Sequence, residues 1–233
     1  MSKKGGDRTQ KSLSVSKVRK FPRKEHVWTI RSIAGPYKKD ESVPLGFVLR
    51  DMLGIAQTMK EVKVILRKGK VKVNGTVRKD YRYSVGLFDI ISIEGLDNAY
   101  KLILDKKGRM IAEEVEKKTA VEKICKVVGK CITKGGTLVI RTNDGMNFYL
   151  DQKEKDKYNV GDSIVVKLPE KRITKHMELK KGAKVTVLSG THAGSDAKVI
   201  EVKEGTIRRP KMVMLKSGEK RFVIPAQNVI VTG

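Results

Sequence analysis

The chain is poor in several residue types, and each shortage closes off a class of protein. Only two cysteines, Cys125 and Cys131, stand in 233 residues. Two thiols build no disulfide framework, which agrees with a reducing compartment. Five residues separate them, against the roughly two to four of a zinc knuckle. The three histidines, His26, His176 and His192, fall in three different segments. No metal site and no cofactor is therefore expected. No apolar run approaches the ~18–20 residues of a spanning helix. The N-terminus has no secretory pattern and neither end has a lipidation pattern. The expectation is a soluble, cytoplasmic protein without a membrane partner. Catalytic signatures are missing as well: no Gly-x-x-x-x-Gly-Lys-Ser/Thr phosphate loop and no Gly-x-Ser-x-Gly elbow. Glu113 and Glu114 sit among lysines and read as a solvated face, not an acid–base pair. An enzyme and a small-molecule substrate are not expected.

Acid is the scarcest commodity relative to its counterpart. There are 26 Asp and Glu against 51 Lys and Arg, a net charge of +25. Such an excess repels itself in a compact fold and calls for a polyanion, here a nucleic acid. The excess is spread along the chain. It is +8 over residues 1–42, +5 over 43–94, +6 over 95–176 and +6 over 177–233.

These four segments are the expected domains. Residues 1–42 are a basic N-terminal arm, poor in apolar residues and expected to stay irregular until it meets RNA. Its expected anchor is the stretch around Val27, Trp28 and Ile30. Residues 43–94 read as two short helices followed by strands. Pro44 opens the first helix with Ser42 as its cap, and Leu45, Val48, Leu49 and Met52 follow at helical spacing. Thr58 and Glu61 form a capping box for the second helix. Met59, Val62, Ile65 and Leu66 make its apolar stripe, and Gly69 ends it. Val71 to Gly75 alternates into a hairpin, for which a three-residue turn through Thr76 is preferred over a two-residue Asn74-Gly75 turn.

Residues 95–176 form a strand-rich central domain. Hairpins are expected around Lys107-Gly108 and Asn143-Asp144-Gly145, with a short helix within 113–123. Residues 177–233 hold five short strands and read as a small SH3-like barrel. The fold class is α+β, mostly β.

The second helix carries Lys60, Lys63 and Arg67 opposite its apolar stripe. Lys68, Lys70 and Lys72 follow at once, and Glu61 is the only acid from 59 to 72. Ordinary solvated faces mix signs to gain pair interactions. A surface of nearly one sign reads as phosphate-facing, giving affinity with little sequence choice. Arg78 joins it from the hairpin. In the arm, Arg19, Lys20, Arg23, Lys24 and Arg31 interleave with Phe21, His26 and Trp28, a mixture suited to charge pairing and stacking on RNA.

Several motifs carry a resemblance. Pro44-Leu45, Glu61-Val62, Val71-Lys72-Val73-Asn74-Gly75-Thr76-Val77-Arg78 and Phe88 to Ile93 resemble the small two-helix RNA-binding domain of ribosomal proteins and pseudouridine synthases. Ala34-Gly35-Pro36-Tyr37, Tyr100 to Arg109 and Cys125-Lys126-Val127 extend the likeness. Over nearly its whole length the chain resembles the S-four-e family of the archaeal and eukaryotic small ribosomal subunit, in its archaeal form. Leu179 to Gly194 is similar to the KOW motif, with Gly182, Gly190 and Gly194 at tight turns that bring backbone amides near a phosphate. It departs from the motif at Asp196-Ala197, and both RNA contact and a packing or protein-binding role stay open for it. The resemblance implies a structural ribosomal protein that holds small-subunit ribosomal RNA beside neighbouring ribosomal proteins. The alternatives are an assembly or transcription factor, and an RNA-modifying enzyme tethered by the two-helix domain.

Overall fold

The computed structural model describes residues 8–117, 120–150 and 157–233. They divide into two compact units, Met1–Ile103 with Arg109–Val121 and Leu104–Gly108 with Glu122–Gly233. Strands dominate both.

The first unit begins with the arm. Its first seven residues lie outside the described ones. Residues 8–42 have little regular structure: β1 (Thr9–Lys11) pairs with β2 (Trp28–Ile30), and short turns fill the rest. They are nonetheless packed. Val15, Arg19, Ile30 and Tyr37 are buried, whereas Val27 and Trp28 are exposed. The anchor is thus not the Val27–Trp28 stretch. Only Ile30 of that group is buried, with Thr29 beside it.

β3 (Val43–Pro44) leads into the helical turn α1 (Leu45–Phe47), which widens into a π-turn over Val48–Met52. Pro44 is the cap residue, and Ser42 makes no cap bond. Leu45, Phe47, Val48 and Leu49 are fully packed. α2 (Met59–Arg67) follows with its capping box formed: the Glu61 amide donates to Thr58 Oγ1, and the Glu61 carboxylate accepts from the Gln57 and Thr58 amides. Val62 and Leu66 are buried, and Gly69 takes φ +74° at the helix end.

A five-stranded sheet carries these helices, in the order β5 (Thr76–Val77), β4 (Val71–Val73), β7 (Ile90–Ile93), β8 (Asn98–Leu104), β9 (Met110–Glu116); β6 (Ser84–Val85) pairs with β3. Val73 pairs with Thr76, so the hairpin turn is the two-residue Asn74-Gly75 and not the longer one. Both turn residues have positive φ, +51° and +78°, the twist that matches two-residue hairpins. Tertiary bonds lock it. Asn74 donates to the Asp89 carboxylate and accepts from the Ile90 amide, while Tyr37 and the Gly86 amide also donate to Asp89. Val73 is buried and Val77 exposed as a result. The sheet runs on through β8 and β9, so the first unit extends past the expected boundary at residue 94. No helix occurs among the described residues of 113–123. Residues 118–119 of that stretch lie outside them, and Glu113, Glu114 and Glu116 lie on β9 instead.

The second unit joins two five-stranded sheets. The first runs β12 (Asn147–Leu150), β11 (Leu138–Thr142), β10 (Glu122–Ile132), β13 (Ser163–Lys167), β14 (Arg172–Met177). The second runs β18 (Lys220–Pro225), β17 (Met212–Ser217), β16 (Asp196–Lys203), β15 (Lys184–Val187), β19 (Val229–Val231). In the latter the last strand returns to pair with the first, as a small barrel requires.

β13 is buried on both faces. Ile164 and Val166 join Cys125, Val127, Ile140 and Phe148 in one core, and Val165 joins the core of Val185, Val187, Val213 and Leu215. Two buried lysines sit on β10. Lys123 pairs with Asp144 at 2.7 Å. Burial pushes the Asp144 carboxyl up, but the Lys123 charge and bonds from Lys123, Thr142 and Cys125 outweigh it and hold it below the ordinary carboxylate range. Lys126 donates to three backbone carbonyls, of Ala226, Gln227 and Val229, at 2.6–2.9 Å. That bond set, with the Val231 amide donating to Ser163 Oγ, explains why residues 122–233 form one unit and not two.

Candidate nucleic-acid interface

Burying Val62 and Leu66 turns the other side of α2 to solvent. Lys60, Lys63 and Arg67 all lie exposed there, and Lys68 follows at the helix end, where the helix dipole favours a cation. Among the described residues none of Lys60, Lys63 and Arg67 pairs with a carboxylate. Glu61, the only acid of residues 59–72, is taken up at the helix start. Bonds from the Thr58 hydroxyl and the Gln57 amide hold its carboxyl below the usual range. Lys70 precedes β4, and Lys72 points outward between buried Val71 and Val73. Arg78 follows β5, its amide bonded to the Val71 carbonyl, and is half-buried.

Two rings organise these cations. The Lys63 ammonium lies 4.9 Å from the Tyr81 ring centre and the Arg78 guanidinium 4.3 Å from that of Tyr83. Arg82 also approaches Tyr81, at 6.0 Å. Such contacts orient a cation at a cost small enough to leave it available to phosphate. Tyr81, Arg82 and Tyr83 were not singled out from sequence. The signal was present in the alternation of cations and rings from Arg78 to Tyr83.

The arm supplies a second group. Lys20 and Lys24 are exposed, and Arg23 and Arg31 are half-buried. Arg19 is not a surface cation. It is 3% exposed, and its guanidinium donates to the Ile30 carbonyl at 2.9 Å and to Ser32 Oγ at 3.0 Å. Burial pushes it down to about 10, with Asp40 opposing. Its role is to hold the arm, because a guanidinium buried this deeply is out of reach of a phosphate. Of the arm's rings, Phe21 packs edge-on against Phe47 of α1, while His26 and Trp28 stay exposed.

In the glycine-rich stretch flanking β15, for which RNA contact and a packing role both stood open, several amides are bonded within the fold. The Gly182 amide donates to Val199 O and the Gly194 amide to Val187 O, both at 2.8 Å; those of Ala193 and Ser195 bond Gly190 O and His192 O. His192 stacks on Phe222 at 4.1 Å. A side chain at Gly194 would run into the Asp105 carbonyl, and one at Gly108 would meet Ala193 at 2.6 Å. These glycines serve close packing of the loop against residues 105–108. Among the described residues, no cluster of three His, Cys, Asp or Glu is placed to hold a metal, and no helix is long and apolar enough to cross a membrane.

Comparison with known proteins fits this arrangement. Residues 96–173 match the family model described as "Ribosomal family S4e", and residues 47–91 match the S4 domain. The small ribosomal subunit protein eS4 of Archaeoglobus fulgidus is 35% identical over 224 residues, covering 96% of this chain and 92% of that protein. The eS4 protein of Methanococcus vannielii is 36% identical over 238 residues, covering 100% and 97%. The crystal structure of 30S ribosomal protein S4e from Thermoplasma acidophilum superposes with a TM-score of 0.68 at 29% identity, covering 84% of this chain and 96% of that one.

Proposed function

The chain belongs to the ribosomal S4e family, and we propose that it is a structural constituent of the small ribosomal subunit, binding and holding ribosomal RNA through basic surfaces. The observation that carries this is the outer face of α2. Three exposed cations stand there without acidic partners among the described residues, inside a segment matching the S4 domain. A merely solvated helix of this composition would gain by mixing signs.

The mechanism is electrostatic and geometric. Lys60, Lys63, Arg67 and Lys68 neutralise phosphates along one RNA helix, with Lys70, Lys72 and Arg78 extending the patch. Lys20, Arg23, Lys24 and Arg31 do the same from the arm. Grooves of A-form RNA hide most base information, so docking follows shape and phosphate position. The two compact units act as separate contact modules, the first through α2 and the arm and the second through its C-terminal sheet. Neighbouring ribosomal proteins complete the surroundings in a cytoplasmic ribosome. The role requires no turnover, cofactor or metal.

Co-sedimentation with small subunits from the native cell, before and after a high-salt wash, tests this. Stoichiometric retention through the wash is the expected result. Loss in the wash, with migration alongside free RNA or polymerase, would refute it in favour of a transient assembly or transcription factor, or of an RNA-modifying enzyme.

A further inference from the structure

The C-terminal sheet has a feature that neither packing nor the glycine-rich loop explains. β16 and β17 are joined by residues 204–211, which end in a narrow, closed tip. The Thr206 amide donates to the Arg209 carbonyl at 2.8 Å and the Arg209 amide to the Thr206 carbonyl at 3.2 Å. Ile207 and Arg208 therefore form a two-residue turn at the point of the hairpin. Ile207 is 107% exposed, the most exposed large apolar residue among the described ones. Arg208 and Arg209 beside it are exposed as well.

The tip is built, not slack. A Cβ at Gly205 would stand 2.8 Å from the Lys211 amide and 3.0 Å from the Arg209 carbonyl, so only glycine lets the two strands of the tip approach. Pro210 restricts the chain on the return side. Below it, Lys211 pairs with Glu204 at 2.9 Å. That pair uses the only acid of residues 203–211, which also hold Lys203, Arg208, Arg209 and Lys211. The charge left unmatched is positive and sits at the tip. A preorganised loop loses little entropy on binding. One that holds a fully exposed isoleucine between strand ends and two guanidinium groups is a poor solvent surface but a good wedge.

We propose that this hairpin tip, Ile207-Arg208-Arg209, is the RNA-contacting element of the C-terminal module. The two arginines take phosphates of an unpaired ribosomal RNA stretch, and Ile207 covers the face of an exposed base. This deepens the ribosomal role proposed above and rests on it. Unpaired RNA fits better than duplex, since only splayed bases offer an apolar face to a side chain. The Ala193, Gly194 and Ser195 amides of the glycine-rich loop are already bonded within the fold, which favours this tip as the contact.

The test uses the full chain and small-subunit ribosomal RNA, with affinity measured across a salt series. Arg208→Gln with Arg209→Gln should lower affinity and flatten the salt slope by about 1.4–1.8 log units per log salt, two contacts' worth. Ile207→Ser should weaken binding several-fold with the slope unchanged. Melting temperatures should match wild type, as all three side chains are exposed. If both variants bind as wild type does while charge removal on α2 weakens binding, the tip proposal falls and the ribosomal role stands. If the wild-type chain does not bind this RNA, both fall. A photoreactive benzoyl-phenylalanine replacing Ile207 in assembled subunits gives the independent readout. Crosslinking to RNA supports the proposal, and crosslinking to a neighbouring protein overturns it.

Discussion

Changing Lys60, Lys63 and Arg67 together to Gln removes the outer charge of α2 and leaves its packed side intact. The last stands seven positions after the first, about 10 Å along the helix axis. That is close to the Debye length near physiological salt, about 8–10 Å. The three therefore act as one patch on a run of phosphates. If each neutralises one phosphate, the salt slope of RNA binding falls by about 2.1–2.7 log units per log salt. Raising salt from about 50 to about 200 mM should then shrink the affinity advantage of wild type by about 20–40-fold. The side chains are exposed, so stability should change little; the largest loss is the Lys63–Tyr81 contact, about 0.5 kcal/mol. Filter binding over the salt series, with a thermal melt of each protein, provides the measurement. Parallel salt lines for the two proteins would refute the interface, whatever the offset between them. An offset without a slope change signals lost structure, not lost phosphate contacts.

Other perturbations separate holding residues from contacting ones. Arg19→Gln should lower urea stability by about 1–3 kcal/mol, because the Ile30 carbonyl and Ser32 lose their donor. It should leave the salt slope unchanged, whereas Lys20→Gln with Lys24→Gln should lower the slope at constant stability; the reverse pattern would overturn the assignment of both groups. Lys126→Met strips the donor from three carbonyls and should cost about 2 kcal/mol at neutral pH by urea titration. Burial pushes Lys126 down to about 8 from 10.5, so between those values the unfolded chain holds more protons. Wild type should therefore gain stability on the variant as pH rises from 8 towards 10.5. A constant difference across that window would remove the titration from Lys126. Gly75→Ala, at φ +78°, should cost about 1 kcal/mol. Asn74→Ala should cost about 2 kcal/mol because it also loses two side-chain bonds. Unchanged melting temperatures would mean that this turn is not held by its backbone geometry.

The parts readable from sequence are those governed by near neighbours. α2 follows from a capping box, an apolar stripe and a terminal glycine, all within a dozen residues, and the structure forms each of them. The same local pattern places Lys60, Lys63 and Arg67 together, since helical spacing alone sets which residues share a face. The hairpin after α2 was legible as a hairpin. Its turn length was not, because the choice was made by Asp89 and Ile90, some fifteen residues away, which bond Asn74.

The arm and the C-terminal module show where local pattern stops. Arg19 and Lys20 are adjacent basic residues in one composition, yet one is buried and the other exposed. The difference is made by the Ile30 carbonyl and Ser32 brought against it by chain reversal. For the glycines flanking β15 the sequence left RNA contact and packing both open, and the structure uses the Gly182 and Gly194 amides for its own backbone. The +25 charge, the mostly-β class and the cationic stripe of α2 were determined by the sequence itself, since charge counts and periodicity need no partner. Which cations remain outside, which glycines serve packing, and which loop tip stands free were decided by the tertiary structure. Burial and hydrogen-bond satisfaction depend on groups that only folding brings together.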